Sequence, residues 1–282
     1  MKETIKVVRK NEALSLATDI AFSSVPAWYG GTVRDLKMDI VFPKVRDGHP
    51  LLPAVVWICG GAYMTMNRSI WLPQLFRIAN AGFVVASVEY RTSNEAQFPA
   101  QLIDIKSAVR FLKANAKEFS IDPDNIFVMG ESAGGCLASL TGVSYLHKEY
   151  EQGRNLTFDS SVRGVIDFYG PAILKDHFEA ISDDVPDWTM RAYLGAHYTA
   201  EDQKKISADT YFDAELPPFF MIHGKDDPLI PVDQSEYYYE VLKKAGADVS
   251  LLIVEDAVHG DELCYQSEVM DRIIAFMERA RR

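Results

Sequence analysis

The 282-residue sequence has only three cysteines, Cys59, Cys136 and Cys264. Three thiols at that spacing build neither a disulfide framework nor a zinc-ligand pattern, so a stapled miniprotein and a zinc module are both excluded. Positive charge is also scarce: 29 Lys+Arg stand against 40 Asp+Glu, a formal net charge of −11. A phosphate backbone or an anionic membrane is held by concentrated positive charge, so neither nucleic acid nor a membrane surface is an expected partner. Long apolar runs are missing as well. No stretch approaches the roughly 20 residues needed to span a bilayer. The opening residues, MKETIKVVRKNEALSL, lack the uninterrupted apolar core of a secretory signal. The expectation is a reduced, cytoplasmic, soluble protein. Repeats, low-complexity tracts and polar linkers are absent too, which favours one domain over residues 1–282, a length α/β domains often reach.

What is present is a core-forming composition, 48% hydrophobic and 24% charged. Short β-branched runs recur, each followed by a Gly-rich turn and a stretch of helical periodicity. The expected strands are Val33–Phe42, Ala54–Cys59, Val84–Glu89, Ile126–Met129, Val165–Tyr169, Phe219–His223 and Ser250–Val254. Several are apolar throughout, as strands covered on both faces are. Pro99 suits a first helical turn, and Leu102, Ile105, Val109 and Leu112 follow at three- and four-residue steps. Further helices are expected over Ser132 to about His147, Asp233 to Lys244, and Glu262 to about Arg279. In the last of these Leu263, Met270, Ile273, Ile274 and Met277 should share one face. Strands alternating with helices predict an α/β fold with a mostly parallel central sheet flanked by helices, and an antiparallel meander at the edge where the earliest segments lie.

One section breaks this rhythm. Between Gly170 and Pro217 no strand is legible, but aromatics and acids are scattered through it: Phe178, Asp183, Asp184, Trp188, Tyr193, Tyr198 and Tyr211. Residues 171–216 are therefore expected to form a small helical cap inserted in the domain, with surface helices as the plainer alternative.

The strongest chemical signal is Gly130-Glu131-Ser132-Ala133-Gly134, between an apolar run and a helical stretch. A serine exposed on a sharp strand-to-helix turn needs tiny neighbours two residues before and after it, so that the backbone can bend. Serine alone is a weak nucleophile and needs an oriented base. On such an elbow the partners follow in the order Ser, acid, His. Of the histidines well downstream, His197 lies in the expected cap and His223 ends a strand. His259 sits on the loop after the last strand, where an imidazole reaches over the serine. The acid should follow the preceding strand, where Asp226 and Asp227 both stand. Cys59-Gly60-Gly61-Ala62, after an earlier strand, is placed to offer amides to an oxyanion, and Ala133 offers the amide after the serine.

Taken together, these motifs resemble the α/β-hydrolase superfamily, and within it the hormone-sensitive-lipase-like and carbohydrate-esterase-like serine esterases. The resemblance runs through Val56–Ala62, Ser87–Arg91, Phe98–Asp104, Ile121–Pro123, Gly130–Gly135, His223–Pro231 and Val258–Gly260, about residues 35–280. It implies the α/β-hydrolase fold and selects Asp227, the acid before proline, over Asp226. The implied triad is Ser132, Asp227 and His259, with oxyanion amides at Gly61, Ala62 and Ala133 and supporting roles for Gly60 and Glu131. Relatives usually carry H-G-G-G, whereas this chain has Cys59 and Ala62 at the outer positions, so whatever an imidazole held in place must be held otherwise.

The implied activity is ester hydrolysis through an acyl-enzyme, with a small-molecule ester as partner and no metal or cofactor; the short expected cap, rich in aromatics and acids, favours short-chain, acetyl-type acyl groups, with carbohydrate or plant-wall fragments as one option for the alcohol. Trp71, Trp188 and Tyr193 could stack on sugar faces, though core packing is the plainer role for each. A prolyl-oligopeptidase-like peptidase and a non-catalytic binding member of the fold are the alternatives. A nucleotide-binding α/β protein fails on the elbow, which lacks the second glycine of G-x-G-x-x-G. Relatives often pair through edge strands or cap helices, so a homodimer is a further expectation.

Overall fold

The computed structural model describes residues 1–8, 12–44, 50–172 and 187–281. Eight strands form one sheet: β1 (Leu14–Ala27), β2 (Thr32–Pro43), β3 (Leu52–Ile58), β4 (Val84–Val88), β5 (Ile121–Glu131), β6 (Gly164–Phe168), β7 (Phe219–Gly224) and β8 (Val249–Val254). Their order is β1-β2-β4-β3-β5-β6-β7-β8. From β4 to β8 every pairing is parallel, while β1 with β2 and β2 with β4 are antiparallel.

The apolar runs become central strands because both faces of the sheet are covered. In β3, Ala54, Val56 and Ile58 enter one core, and Val55 and Trp57 enter the other. The period of two is present but masked, since both sets are apolar. On the first face pack α2 (Ala100–Ala114), α3 (Ala133–Val143) and α6 (Asp233–Lys244), through residues such as Leu102, Ile105, Leu137, Leu140 and Leu242. On the second pack α1 (Leu72–Asn80) and α7 (Ser267–Ala280), through Leu75, Ile78, Met270, Ile273 and Met277. Each such side chain contributes about 1.5–3 kcal/mol by leaving water.

Three elements differ from the sequence reading. β1 and α1 were not expected. β1 carries two register shifts against β2, and Asp19 in it takes φ 58°, so its apolar alternation is broken. The expected helix from Glu262 is two pieces, a 3-10 turn over Glu262–Tyr265 and then α7. Leu263 is accordingly 38% exposed and does not share the buried face of Met270, Ile273 and Met277. The 170–217 section holds α4 (Asp187–Leu194), α5 (Ala200–Lys204) and a 3-10 turn over Ala208–Tyr211, with no strand among the described residues. Phe178, Asp183 and Asp184 lie outside the described residues.

At the C-terminal end of β6 the Asp167 carboxylate is buried under α3. It accepts from Ser139 Oγ at 2.8 Å and from the Gly170 amide at 2.9 Å. Burial pushes this carboxyl up to about 6, against the opposing pull of those two donors. A carboxyl raised in the folded state favours the protonated fold. The stability it confers is therefore complete below its ordinary value near 3.8 and is lost as pH rises through about 6. Asn at this position can keep an acceptor for Gly170 and a donor for Ser139. Urea unfolding of wild type and Asp167→Asn should show the wild type losing roughly 2–3 kcal/mol relative to the variant between pH 4 and 7. Parallel pH curves would show that the carboxyl titrates normally.

Candidate active site

β5 ends at Glu131 and α3 begins at Ala133, so Ser132 alone makes the turn, at φ 53° and ψ −121°. A non-glycine residue there stores about 1–3 kcal/mol, and the surroundings hold it in place. The Ser132 amide donates to Phe168 O at 2.8 Å, and the Cys136 amide donates to Ser132 O at 3.1 Å. The flanking glycines are steric necessities. A Cβ on Gly130 would lie 2.2 Å from Gly134 O, and one on Gly134 would lie 2.1 Å from Ile58 O. The first turn of α3 thus rests directly on the end of β3, and its N-terminal dipole faces the Ser132 hydroxyl region.

The loops after β7 and β8 bring two further side chains to this turn. His259 Nε2 lies 2.9 Å from Ser132 Oγ, and its Nδ1 lies 2.7 Å from Asp227 Oδ2. With Nδ1 donating to the carboxylate, Nε2 is left to accept the Ser132 proton. Asp227 Oδ1 accepts the amides of Leu229 and Ile230, both at 2.9 Å. Burial pushes this carboxyl up, but hydrogen bonds from His223, His259 and the Ile230 amide outweigh it and hold the group well below the ordinary carboxylate range. Asp226 points to solvent, with its backbone amide on Ala257 O. His197 is exposed on the loop between α4 and α5. His223 is buried, with Nδ1 at 2.7 Å from Ser235 Oγ and Nε2 at 2.8 Å from Ile230 O. It also approaches Asp227 Oδ2 to 3.4 Å, a contact the sequence did not signal.

After β3 the chain runs through Gly61, Ala62 and Tyr63 with φ of 121°, 52° and 60°, three consecutive left-handed residues. Among the described residues, the amides of Gly61, Ala62 and Ala133 have no protein acceptor. The Gly60 amide, by contrast, is committed to Glu131 Oε1 at 2.8 Å. Cys59 is held by its carbonyl, which accepts from Tyr90 OH at 3.0 Å, and by its sulfur, which accepts from the Asn67 amide at 3.3 Å. Arg68, further along the loop, ties it to β1 and β2 through Asp19 at 2.6 Å and Asp39 at 2.7 Å, and to Glu89 just after β4. No group of three or more His, Cys, Asp or Glu among the described residues is arranged to hold a metal ion.

The aromatic residues divide. Trp71 stacks on Tyr265, with ring centroids 3.8 Å apart. Tyr193 is fully buried and stacks on Tyr63 at 3.8 Å and 3°, so it has no face to offer a sugar. Trp188, on α4, is 56% exposed. No helix among the described residues is long and apolar enough to cross a membrane.

Comparison with known proteins places this geometry in context. The BD-FAE family model matches residues 38–242, and the chain belongs to that family. Among curated proteins it is 31% identical over 77% of its length to a probable carboxylic ester hydrolase, LipM, of Mycobacterium tuberculosis, and covers 51% of that protein. The chain spans about half the length of the curated relatives it matches. Among solved structures it is similar to a truncated form of a carbohydrate esterase from gut microbiota. That match has TM-score 0.79 and 26% identity, covering 96% of this chain and 99% of the other. It is also similar to the butyrate-bound Est2 esterase of Thermogutta terrifontis, at TM-score 0.70 and 27% identity, covering 87% and 88%. The fold is that of the α/β-hydrolase esterases.

The contact between Gly134 and Ile58 generates a direct expectation. Gly134→Ala forces two backbones apart, and urea unfolding should find the variant destabilised by about 3 kcal/mol. Unchanged stability would mean that this approach is not tight.

Proposed function

We propose that this member of the BD-FAE family is a serine esterase that cleaves short-chain acyl esters of carbohydrates. The observation that carries the reading is the unbroken hydrogen-bonded line from Ser132 through His259 to Asp227. Ser132 Oγ attacks the ester carbonyl while its proton passes to His259 Nε2. The negative charge that develops on the carbonyl oxygen is received by the amides of Gly61, Ala62 and Ala133, placed in advance so that no reorganisation is needed. His259 then gives the proton to the leaving alkoxide. Asp227 keeps the imidazole in the tautomer that accepts at Nε2 and stabilises the imidazolium between the two transfers. Water enters by the reverse path: His259 takes its proton, the hydroxide attacks the acyl-enzyme, and the proton returns to Ser132 as the acid leaves.

The described part of residues 171–216 acts as the cap. Its helix α4 docks through the Tyr63–Tyr193 stack, in the same buried cluster as Cys136 of the nucleophile helix. That filled wall, one turn from Ser132, supports a short acyl group, as does similarity to an esterase solved with butyrate. Similarity to a carbohydrate esterase, and Trp188 exposed on the same helix, support a sugar as the alcohol. The three free thiols, all buried, suit a reducing compartment, and we place the protein in the cytoplasm.

Purified protein should hydrolyse p-nitrophenyl acetate and acetylated oligosaccharides, and Ser132→Ala should abolish both. Asp227→Asn leaves the shape but offers the imidazole a donor where it needs an acceptor, and kcat should drop by about 10⁴-fold. An inactive wild type, or a Ser132→Ala variant as active as wild type, would sink the reading. Tyr193→Ala should open the wall, raising the kcat/KM ratio of octanoyl over acetyl ester by about tenfold. An unchanged chain-length profile across acetyl, butyryl, hexanoyl and octanoyl esters would place the acyl group elsewhere.

A further inference from the structure

Glu131 has no place in the proton transfers above, yet its buried carboxylate stands between the two halves of the site. Oε1 accepts the Gly60 amide at 2.8 Å, and Oε2 accepts the Tyr169 hydroxyl at 3.3 Å. Having given its one proton to Glu131, the Tyr169 oxygen accepts from Tyr265 OH at 3.0 Å. Tyr265 is itself immobilised between Phe168, at 5.0 Å and 8°, and Trp71, at 3.8 Å and 13°. The Tyr169 ring lies 4.8 Å from the His259 ring. Its backbone is held at φ 43°, a left-handed conformation that a tyrosine adopts at a cost, and its amide donates to Ile222 O at 2.8 Å.

We propose that Glu131 and Tyr169 are positioning residues that lock the loop Gly60–Ala62 and the His259 imidazole in a single register: the hydrogen-bonded chain sets the oxyanion donors, and the Tyr169 ring at its end sets the face of the base. The inference rests on the assignment of Gly61 and Ala62 as oxyanion donors under the proposed function. Its physical content is specific. Gly60 precedes three left-handed residues whose amide directions follow from where Gly60 is pinned. Removing the acceptor leaves a buried amide unpaired, and the loop can recover a partner only by turning. A turn of that kind re-aims the amides of Gly61 and Ala62 away from the oxyanion. Such donors act in the transition state more than in the ground state, so the damage falls on kcat rather than KM.

The test uses four proteins: wild type, Glu131→Ala, Glu131→Gln and Tyr169→Phe. Glu131→Ala should lose about 100-fold in kcat on p-nitrophenyl acetate with KM within about threefold, the lower range for loss of one oxyanion donor. Glu131→Gln keeps a carbonyl oxygen for Gly60 and should recover to within about fivefold of wild type, whereas Tyr169→Phe keeps the ring against His259 and should lose about tenfold. A purely structural role would lower stability in step with activity and show no rescue by Gln.

Hydrogen exchange of the Gly60 amide gives a readout independent of catalysis. It should be slow in wild type and Glu131→Gln and at least about tenfold faster in Glu131→Ala. Wild-type kcat in Tyr169→Phe, Gln as damaging as Ala, or Gly60 exchange unchanged by Glu131→Ala would each overturn the proposal. If Glu131→Ala does not fold, the Gln and Phe variants decide it. A wild type without esterase activity would sink the functional reading, and the exchange data would still judge the lock.

Discussion

Everything at the catalytic edge of this molecule depends on how closely the first turn of α3 approaches the end of β3. At that contact a single methyl group on Gly134 would sit 2.1 Å from Ile58 O. The approach leaves Ser132 no choice but the left-handed turn, because strand and helix must meet within one residue. It also fixes where the amides of Ala133 and of the loop after β3 stand relative to one another, since both belong to the two segments in contact. The strain at Ser132 is offset by the apolar burial of β3, β5 and α3 on both sides of the sheet. The sheet's core therefore does more than hold the fold: it holds one residue where it would not otherwise rest.

Desolvation then meets a different set of donors at each of three buried carboxyls. Asp227 receives donors on both oxygens, from two backbone amides and from histidine, and these overcome desolvation to keep it charged. Asp167 has two donors, one a neutral hydroxyl, and desolvation wins, so its carboxyl rises to about 6. Glu131 is raised by burial as well, against Gly60, His259 and Tyr169. The same residue chemistry is thus shifted in opposite directions according to the number and kind of hydrogen bonds each carboxyl receives. Cys59, beside Glu131, is pushed up to about 12, chiefly by burial, so its thiol stays protonated and does not compete with Ser132 as a nucleophile.

Much of the central architecture was legible because its determinants are local. An apolar run between turn residues announces a strand, and G-x-S-x-G after such a run announces a strained turn, since both signals lie within a dozen residues. The choice between Asp226 and Asp227 was not local. Both sit on the same turn; the resemblance, through the proline after Asp227, selected it, and the path of the backbone gives the physical reason, carrying Asp227 inward to His259 while Asp226 faces water. β1 was hidden by its bulges and its polar, half-exposed face. α1 was hidden because its apolar residues follow a loop of mixed character and begin at a left-handed Trp71. The sequence also exposed a gap, the Cys59 where relatives carry histidine, without saying what filled it. The Gly60–Glu131 hydrogen bond spans 71 residues, and no spacing rule reaches that far.

That long-range bond bears on why the site tolerates an unusual oxyanion loop. An imidazole at the first loop position would anchor the loop from its own side chain, within the same segment. Here the loop is anchored from opposite directions instead: by the carboxylate next to the nucleophile, by Tyr90 on the carbonyl of Cys59, and by Arg68 on Asp19 and Asp39 of the edge hairpin and on Glu89 after β4. Each anchor alone is modest, since a hydrogen bond nets about 1 kcal/mol and a partly exposed ion pair often less. Distributed along a loop with three successive left-handed residues, they constrain it at its start and again shortly before it enters α1. The edge hairpin β1–β2, remote from Ser132 in the order of strands, thereby becomes part of what positions the site, because Asp19 and Asp39 are its contribution to holding Arg68.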